Sequence, residues 1–257
     1  MIITTAGRTN EQMVQIAKNI AQMLNIEYVP RNKKSIMFMQ NTFQNNVLVA
    51  GKERLEYYKL GESEPFFFHP NSAMFRVKRI KKGEKDPFIE ATNLSYGQSL
   101  LDCTLGLASD SITASFVVGD LGQVVGIEES KVISFLVQTG LKMWETDFHE
   151  LNQAMRRISV NHCDHLTFLK NQPDNSFDVV YFDPMFDEEI MTSNGINTIR
   201  PIASYQPITN ETVQEAKRVA NKRVVLKDHY KSRRFEQFNF HVLRRKTAKF
   251  HYGVIKL

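Results

Sequence analysis

The sequence predicts an α/β protein whose larger part is a mostly parallel sheet with helices on both faces, preceded by a small α/β N-terminal domain. Three observations predict it. From Gln98 onward, apolar runs of strand length alternate with helical stretches, the pattern of a parallel sheet buried on both sides. The first of these units, Gln98 to Asp110, reads as a short strand, a tight turn through Leu105-Gly106-Leu107-Ala108 and a helix starting near Ser109. The last two runs, Phe238 to Leu243 and His251 to Leu257, are joined by a basic linker and suit a closing antiparallel pair.

In chain order, Ile2 to Thr5 reads as a strand and Thr9 to Gln12 as a capping box. Met13, Ile16, Ala17, Ile20 and Leu24 then recur at helical spacing. Short β-like runs follow at Ile36 to Met39, Asn46 to Ala50, Leu55 to Leu60 and Pro65 to Phe68, which together make a domain over residues 1–68. Residues 69–97 read as a basic connecting segment, with cations dense from Arg76 to Lys82 and a helix over Pro87 to Leu94. Residues 98–257 form the main domain, with strands at Ser99 to Leu101, Val124 to Glu128, Ile158 to His162, Ser176 to Phe182 and Arg223 to Lys227. Helical composition fills Lys131 to Arg157, Leu166 to Asn171 and Glu211 to Ala220, and polar Asp187 to Gln206 reads as a loop over the site.

The turn after the first strand of the main domain identifies a class of ligand. Gly106 and small Ala108 let a ligand approach bare backbone, and the next helix offers free N–H groups. A dinucleotide site needs three spaced glycines, whereas this turn has Asp102 before it and Asp110 after it, two carboxylates that repel phosphate. They suit a cationic, hydroxyl-rich ligand such as S-adenosylmethionine. Glu128 ends the next strand 26 residues after Asp102, where its two oxygens can accept both ribose hydroxyls. Asp164 closes the third strand, as an acceptor for an adenine amine, as a helix N-cap, or as both. The fourth strand runs into Asp183-Pro184-Met185-Phe186. There Asp183 can accept one N–H of a planar amine, the Pro184 carbonyl the other, and Phe186 can stack on the ring.

Charge points to a second ligand. Residues 96–216 carry 6 Lys and Arg against 17 Asp and Glu, whereas residues 217–257 carry 13 against 2. An acidic middle beside basic flanks fits a cationic cofactor and a polyanionic substrate such as RNA. Lys227, Lys231, Arg233, Arg234, Arg76 and Arg79 are the expected contacts to it. Cys103 and Cys163 lack metal or disulfide spacing and are expected as reduced thiols, and His162 and His165 have no third ligand at metal spacing. No apolar run is long enough to span a bilayer, and Met1 to Arg8 is not a leader, so a cytoplasmic protein without a membrane partner or a metal is expected.

On the residues Asp102-Cys103-Thr104-Leu105-Gly106-Leu107-Ala108-Ser109-Asp110 and Asp183-Pro184-Met185-Phe186, the chain resembles a class I S-adenosylmethionine-dependent methyltransferase. More narrowly it resembles the bacterial small-subunit ribosomal RNA guanine-N2 methyltransferases of the J type. The resemblance covers roughly the last two thirds of the chain. It implies a Rossmann-like, seven-stranded, mostly parallel sheet with the last strand antiparallel, and S-adenosylmethionine held by Asp102, Thr104, Gly106, Leu107, Asp110, Glu128, Glu129 and Asp164. Asp183, Pro184 and Phe186 become the catalytic set, with ribosomal RNA or an assembling small subunit as partner. Two departures stand out: Ala108 replaces the second glycine of the turn, and Asp187 follows Phe186 where the family has proline. A non-catalytic RNA-binding protein on the same fold, or a methyltransferase of DNA, protein or a small molecule, remains open on the residues alone.

Overall fold

The computed structural model describes residues 1–184 and 207–257, so Met185, Phe186, Asp187 and the expected loop up to Gln206 lie outside the described residues. The described chain falls into two compact units, residues 1–69 and residues 70–184 with 207–257. The second carries a seven-stranded, mostly parallel sheet, as the resemblance implies.

In the first unit, β1 (Ile2–Thr5) lies between β2 (Glu27–Tyr28) and β3 (Val47–Ala50), parallel to both, and β4 (Leu55–Tyr58) closes the sheet antiparallel to β3. Helix α1 (Glu11–Leu24) buries Met13, Ala17, Ile20 and Leu24, as the spacing predicts. Its cap differs from expectation: Asn10, one residue after Thr9, accepts the Met13 N–H at 2.8 Å, and Gln12 takes no part. Asparagine is among the strongest cap residues and wins the position. The run at Ile36 to Met39 is not a strand but the start of α2 (Ile36–Phe43), capped by Ser35, whose Oγ accepts the Phe38 N–H at 3.0 Å. A four-residue apolar run does not distinguish strand from helix, and the Ser35 cap settles it. Pro65 to Phe68 makes only a single bridge, Phe66 to Tyr57, and Pro65 has no N–H to extend a ladder.

In the second unit, α3 (Asn71–Lys81) and α4 (Pro87–Thr92) precede β5 (Ser99–Asp102), which is followed by α5 (Ser109–Val118) and β6 (Gln123–Glu128). The stretch expected as one helical region divides into α6 (Lys131–Met143) and α7 (His149–Arg156), with Trp144 in extended backbone ending the first. Next come β7 (Ile158–His162), α8 (His165–Lys170), β8 (Phe177–Phe182), α9 (Asn210–Val219) and β9 (Ala220–His229). The chain ends in α10 (Arg234–Gln237), β10 (His241–Leu243) and β11 (Phe250–Lys256). Phe238, expected in a strand, instead closes α10 and packs into the core under the sheet.

Strand order is β10-β11-β9-β8-β5-β6-β7, with β11 antiparallel to both its neighbours and the other pairings parallel. The chain runs outward from β5 through β6 and β7, then returns to β8 on the other side of β5. The β5/β8 border is therefore the switch point at which open α/β sheets bind ligands, beyond the strands' carboxyl ends. Register sets Asp102 beside Tyr181 on one side and Gly126 on the other. A core of Leu101, Val180, Phe182, Val224 and Leu226 fixes these strands on one face.

Gly126 shows how closely the turn after β5 is seated. A Cβ there would meet Leu105 Cδ1 at 2.4 Å and Cγ at 3.0 Å, and Leu105 N–H donates to the Ile127 carbonyl at 3.0 Å. Gly126→Ala is expected to lower stability by about 1–3 kcal/mol through overpacking, read as a lower urea midpoint with unchanged slope.

Candidate active site

The carboxyl ends of β5, β6, β8 and β9 bring Asp102, Glu128, Asp183 and Lys227 to one edge of the sheet. The turn after β5 is held by its own carboxylates. Asp102 is only 2% exposed; its Oδ1 accepts the Thr104 N–H at 3.1 Å and its Oδ2 the Ser111 hydroxyl at 2.6 Å. It faces inward, so it shapes the turn rather than presenting a carboxylate to a ligand. Glu128, half-buried, spans from the turn to the next helix: its Oε2 accepts the Gly106 N–H at 3.2 Å and its Oε1 the Ser130 N–H at 2.8 Å. Gly106 and Ala108 both have left-handed backbone, with φ of 49° and 60°. The alanine that departs from the family pattern thus keeps the backbone conformation that a glycine favours.

Asp183 begins where β8 ends. Its N–H donates to Thr104 Oγ1 at 2.6 Å, and its Oδ2 accepts from Lys227 Nζ at 2.6 Å. Lys227 also reaches Asp110 Oδ2 at 3.3 Å. Asp110 takes the Tyr181 hydroxyl at 2.8 Å and Arg76 Nη1 at 2.5 Å, and Arg76 makes two more bonds to Asp86, at 2.8 and 2.9 Å. The result is one largely buried network in which three carboxylates, Asp86, Asp110 and Asp183, share two cations, Arg76 and Lys227.

Burial opposes ionisation throughout the network, and the cations decide which carboxyls stay charged. Against burial, Lys227 and then Arg76 hold Asp110 well below the usual carboxylate range. For Asp183, burial prevails and pushes the carboxyl up to about 6, Lys227 pulling it down and Asp110 adding to the rise. Burial works against the Lys227 ammonium, yet Asp110 and Asp183 together raise it above its ordinary value. Asp102 is pushed up to about 7, first by burial and then by Asp110. Burial also raises Glu128, opposed by the two N–H groups that it accepts.

The remaining expected residues are distributed less evenly. Asp164 Oδ1 caps α8, accepting the Thr167 N–H at 2.7 Å, and Leu107 and Glu129 are half-exposed, with the Glu129 carbonyl accepting from His162 Nε2 at 3.0 Å. Arg76 and Lys227, expected on a polyanion-binding surface, are instead internal, because burying Asp110 and Asp183 requires countercharge. Arg234 is likewise engaged, with buried Asp228 at 2.8 Å. Arg79 is exposed and paired with Glu84 at 2.7 Å, and Lys231 and Arg233 are exposed. Sequence reasoning missed Tyr181, Ser111 and Asp86. Tyr181 had a readable signal, since it lies two residues before Asp183 on an alternating strand. Cys103 is buried and Cys163 half-buried, both free. Among the described residues there is no candidate metal cluster, and no helix is long and apolar enough to cross a membrane.

Similarity to known proteins identifies the family and the fold. The family of SAM-dependent methyltransferases matches residues 32–252. An uncharacterised protein of Bacillus subtilis, YpiP, is 51% identical over 255 residues, covering 99% of each chain. A protein of Laribacter hongkongensis named ribosomal RNA small subunit methyltransferase J is 30% identical over 156 residues, which cover 56% of this chain and only 52% of that protein. Among solved structures, a SAM-dependent methyltransferase of Neisseria gonorrhoeae superposes with a TM-score of 0.63 at 18% identity, over 100% of this chain and 96% of its own, a likeness of fold.

Two outcomes test the electrostatics. Because the Asp102 carboxyl is raised from 3.8 to about 7, the folded chain holds a proton that the unfolded chain has released between those values. This contribution to stability is therefore lost as pH rises through that window. Asp102→Asn removes the dependence, so its stability relative to wild type should improve between pH 5 and pH 8 in parallel urea titrations. Lys227→Met leaves Asp110 and Asp183 without their shared cation, and should cost about 3 kcal/mol at pH 8. The cost should shrink as pH falls from 8 toward about 6, because without Lys227, which pulls the Asp183 carboxyl down, that group takes up its proton above the wild-type value.

Proposed function

Because the chain belongs to the SAM-dependent methyltransferase family, with S-adenosylmethionine as its cofactor, we propose that it methylates the exocyclic amine of a nucleic-acid base, guanine N2 in ribosomal RNA. The observation that carries this reading is Asp183 at the switch point. Its carboxylate is fixed by Lys227 and its backbone by Thr104, and it retains 26% side-chain exposure with Pro184 directly after it.

An exocyclic amine is a weak nucleophile because its lone pair is delocalised into the ring. Asp183 accepts one of its N–H groups and the Pro184 carbonyl the other, which orients the nitrogen and returns electron density to it. With its carboxyl near 6, Asp183 is charged at neutral pH and can take the proton that the nitrogen gives up as the new N–C bond forms. Lys227 keeps that carboxylate in place through a single oxygen, Oδ2. Phe186, outside the described residues, is assigned the stacking face of the base pocket.

The donor set fits S-adenosylmethionine. Glu128 keeps acceptor capacity for ribose hydroxyls beyond its two backbone contacts, Gly106 and Ala108 hold the turn's backbone close, and Asp164 lies at the neighbouring strand end. Three carboxylates against two cations leave the network one negative charge in excess, which favours a cationic ligand over a phosphate. When bound, the cofactor supplies a methyl carbon carried on a sulfonium. RNA as the acceptor is supported by the relatives named for ribosomal RNA and by the exposed cations Arg79, Lys231 and Arg233, which suit phosphate contacts. A cytoplasmic location and an assembling small subunit as partner belong to the same reading.

The test is transfer of labelled methyl from S-adenosylmethionine to RNA extracted from cells lacking the protein, alongside calorimetric titration with S-adenosylhomocysteine. Asp183→Ala should reduce transfer by about 100-fold or more with cofactor affinity nearly unchanged, whereas Glu128→Ala should weaken cofactor affinity by about tenfold. Equal loss of both in Asp183→Ala contradicts the role given to Asp183, and RNA binding without any transfer favours a non-catalytic protein.

A further inference from the structure

Two exposed aromatic side chains adjoin the buried ionic network in sequence. Phe75 is 64% exposed and immediately precedes Arg76, whose guanidinium is turned inward to Asp86 and Asp110. On α3, Phe75 has Lys78 three residues on and Arg79 four residues on, both exposed, with Arg79 paired to Glu84. Tyr230 is 47% exposed and follows β9 three residues after Lys227, the cation that holds Asp183. Its ring packs against His229 at 4.6 Å and His251 at 6.2 Å, Lys231 Nζ lies 5.5 Å from its centre, and Arg233 is exposed nearby in sequence.

Both rings lie within three residues of a cation of the internal network, and each has exposed cations beside it, Lys78 and Arg79 along α3 for Phe75 and Lys231 over the ring of Tyr230. Single exposed apolar side chains are ordinary on a protein surface, so it is the cations beside these two rings, and not their exposure, that specify an anionic cover. Tyr96, 61% exposed on the same unit, is a contrast: its hydroxyl donates to Asp120 at 2.5 Å, in an acidic setting.

We infer that Phe75 and Tyr230 are stacking platforms for single-stranded RNA, taking the nucleotides beside the base that reaches Asp183. This rests on the reading that the acceptor is an RNA base. For an exocyclic amine to enter a site at a strand end, its base must leave any stack, which deprives its neighbours of a stacking face. An aromatic ring beside a cation replaces that face and contacts the phosphate at the same time, whatever the sequence.

The experiment is fluorescence anisotropy of the full chain with a labelled single-stranded RNA twelve-mer and with the matching duplex. Phe75→Ala and Tyr230→Ala should each weaken single-strand binding by about tenfold, Tyr230→Phe should retain wild-type affinity, and Tyr96→Ala should change nothing. Titration with S-adenosylhomocysteine should be unaltered in all four variants, which separates a lost contact from a lost fold. The inference is overturned if wild type does not bind single strands in preference to duplex, if both alanine variants bind as wild type does, or if Tyr96→Ala is equally impaired. It is also overturned if the variants lose only self-association, which would make these rings a protein interface. Because the readout is affinity, aromatic-dependent binding without methyl transfer would sink the proposed chemistry and leave this surface standing.

Discussion

Lys227 is the interaction on which the site depends. A parallel sheet brings four strand ends together at its carboxyl edge, and here these ends are rich in carboxylates that cannot all be charged at close range in a buried setting. The ammonium between Asp110 and Asp183 is what makes the arrangement possible, with Arg76 anchoring the far side through Asp86. The division of roles follows from geometry. Asp110, held by two cations and the Tyr181 hydroxyl, is a fixed charge, whereas Asp183 has one cation and keeps partial exposure, which is why the proposed reading gives it the acceptor and the proton.

The turn after β5 is the second fixed part. Glu128 binds the Gly106 N–H and Asp102 the Thr104 N–H, while Thr104 receives the N–H of Asp183. Thus the segment read as the cofactor turn and the segment read as the acceptor pocket are tied through one threonine. A shift in either should be felt in the other, which is how a transfer reaction can keep donor and acceptor aligned without a metal or a covalent intermediate.

Much of this was legible in the sequence because strand ends are readable: an apolar run stopping at Asp102, Glu128, Asp183 or Lys227 gives both the element and the residue at its edge. Pairing across the chain was not legible. Arg76 lies in a run with Lys78, Arg79, Lys81 and Lys82, and nothing local shows that it alone turns inward to Asp110, 34 residues away. The internal place of Lys227 is illegible for the same reason, since its partners sit 44 and 117 residues earlier. In the N-terminal unit the limit is the length of the runs. Ile36 to Met39 is too short for periodicity to separate strand from helix, and the two-residue β2 is too short to leave a pattern at all.

The most direct test of the account is the identity of the methylated product. RNA incubated with the purified protein and S-adenosylmethionine carrying labelled methyl would be digested to nucleosides, separated and assigned by mass. The account requires the label on the exocyclic amine of guanosine, because Asp183 and the carbonyl after it are suited to hold an N–H pair. Label on a ribose hydroxyl, a ring carbon or a ring nitrogen would contradict it, as would label confined to protein.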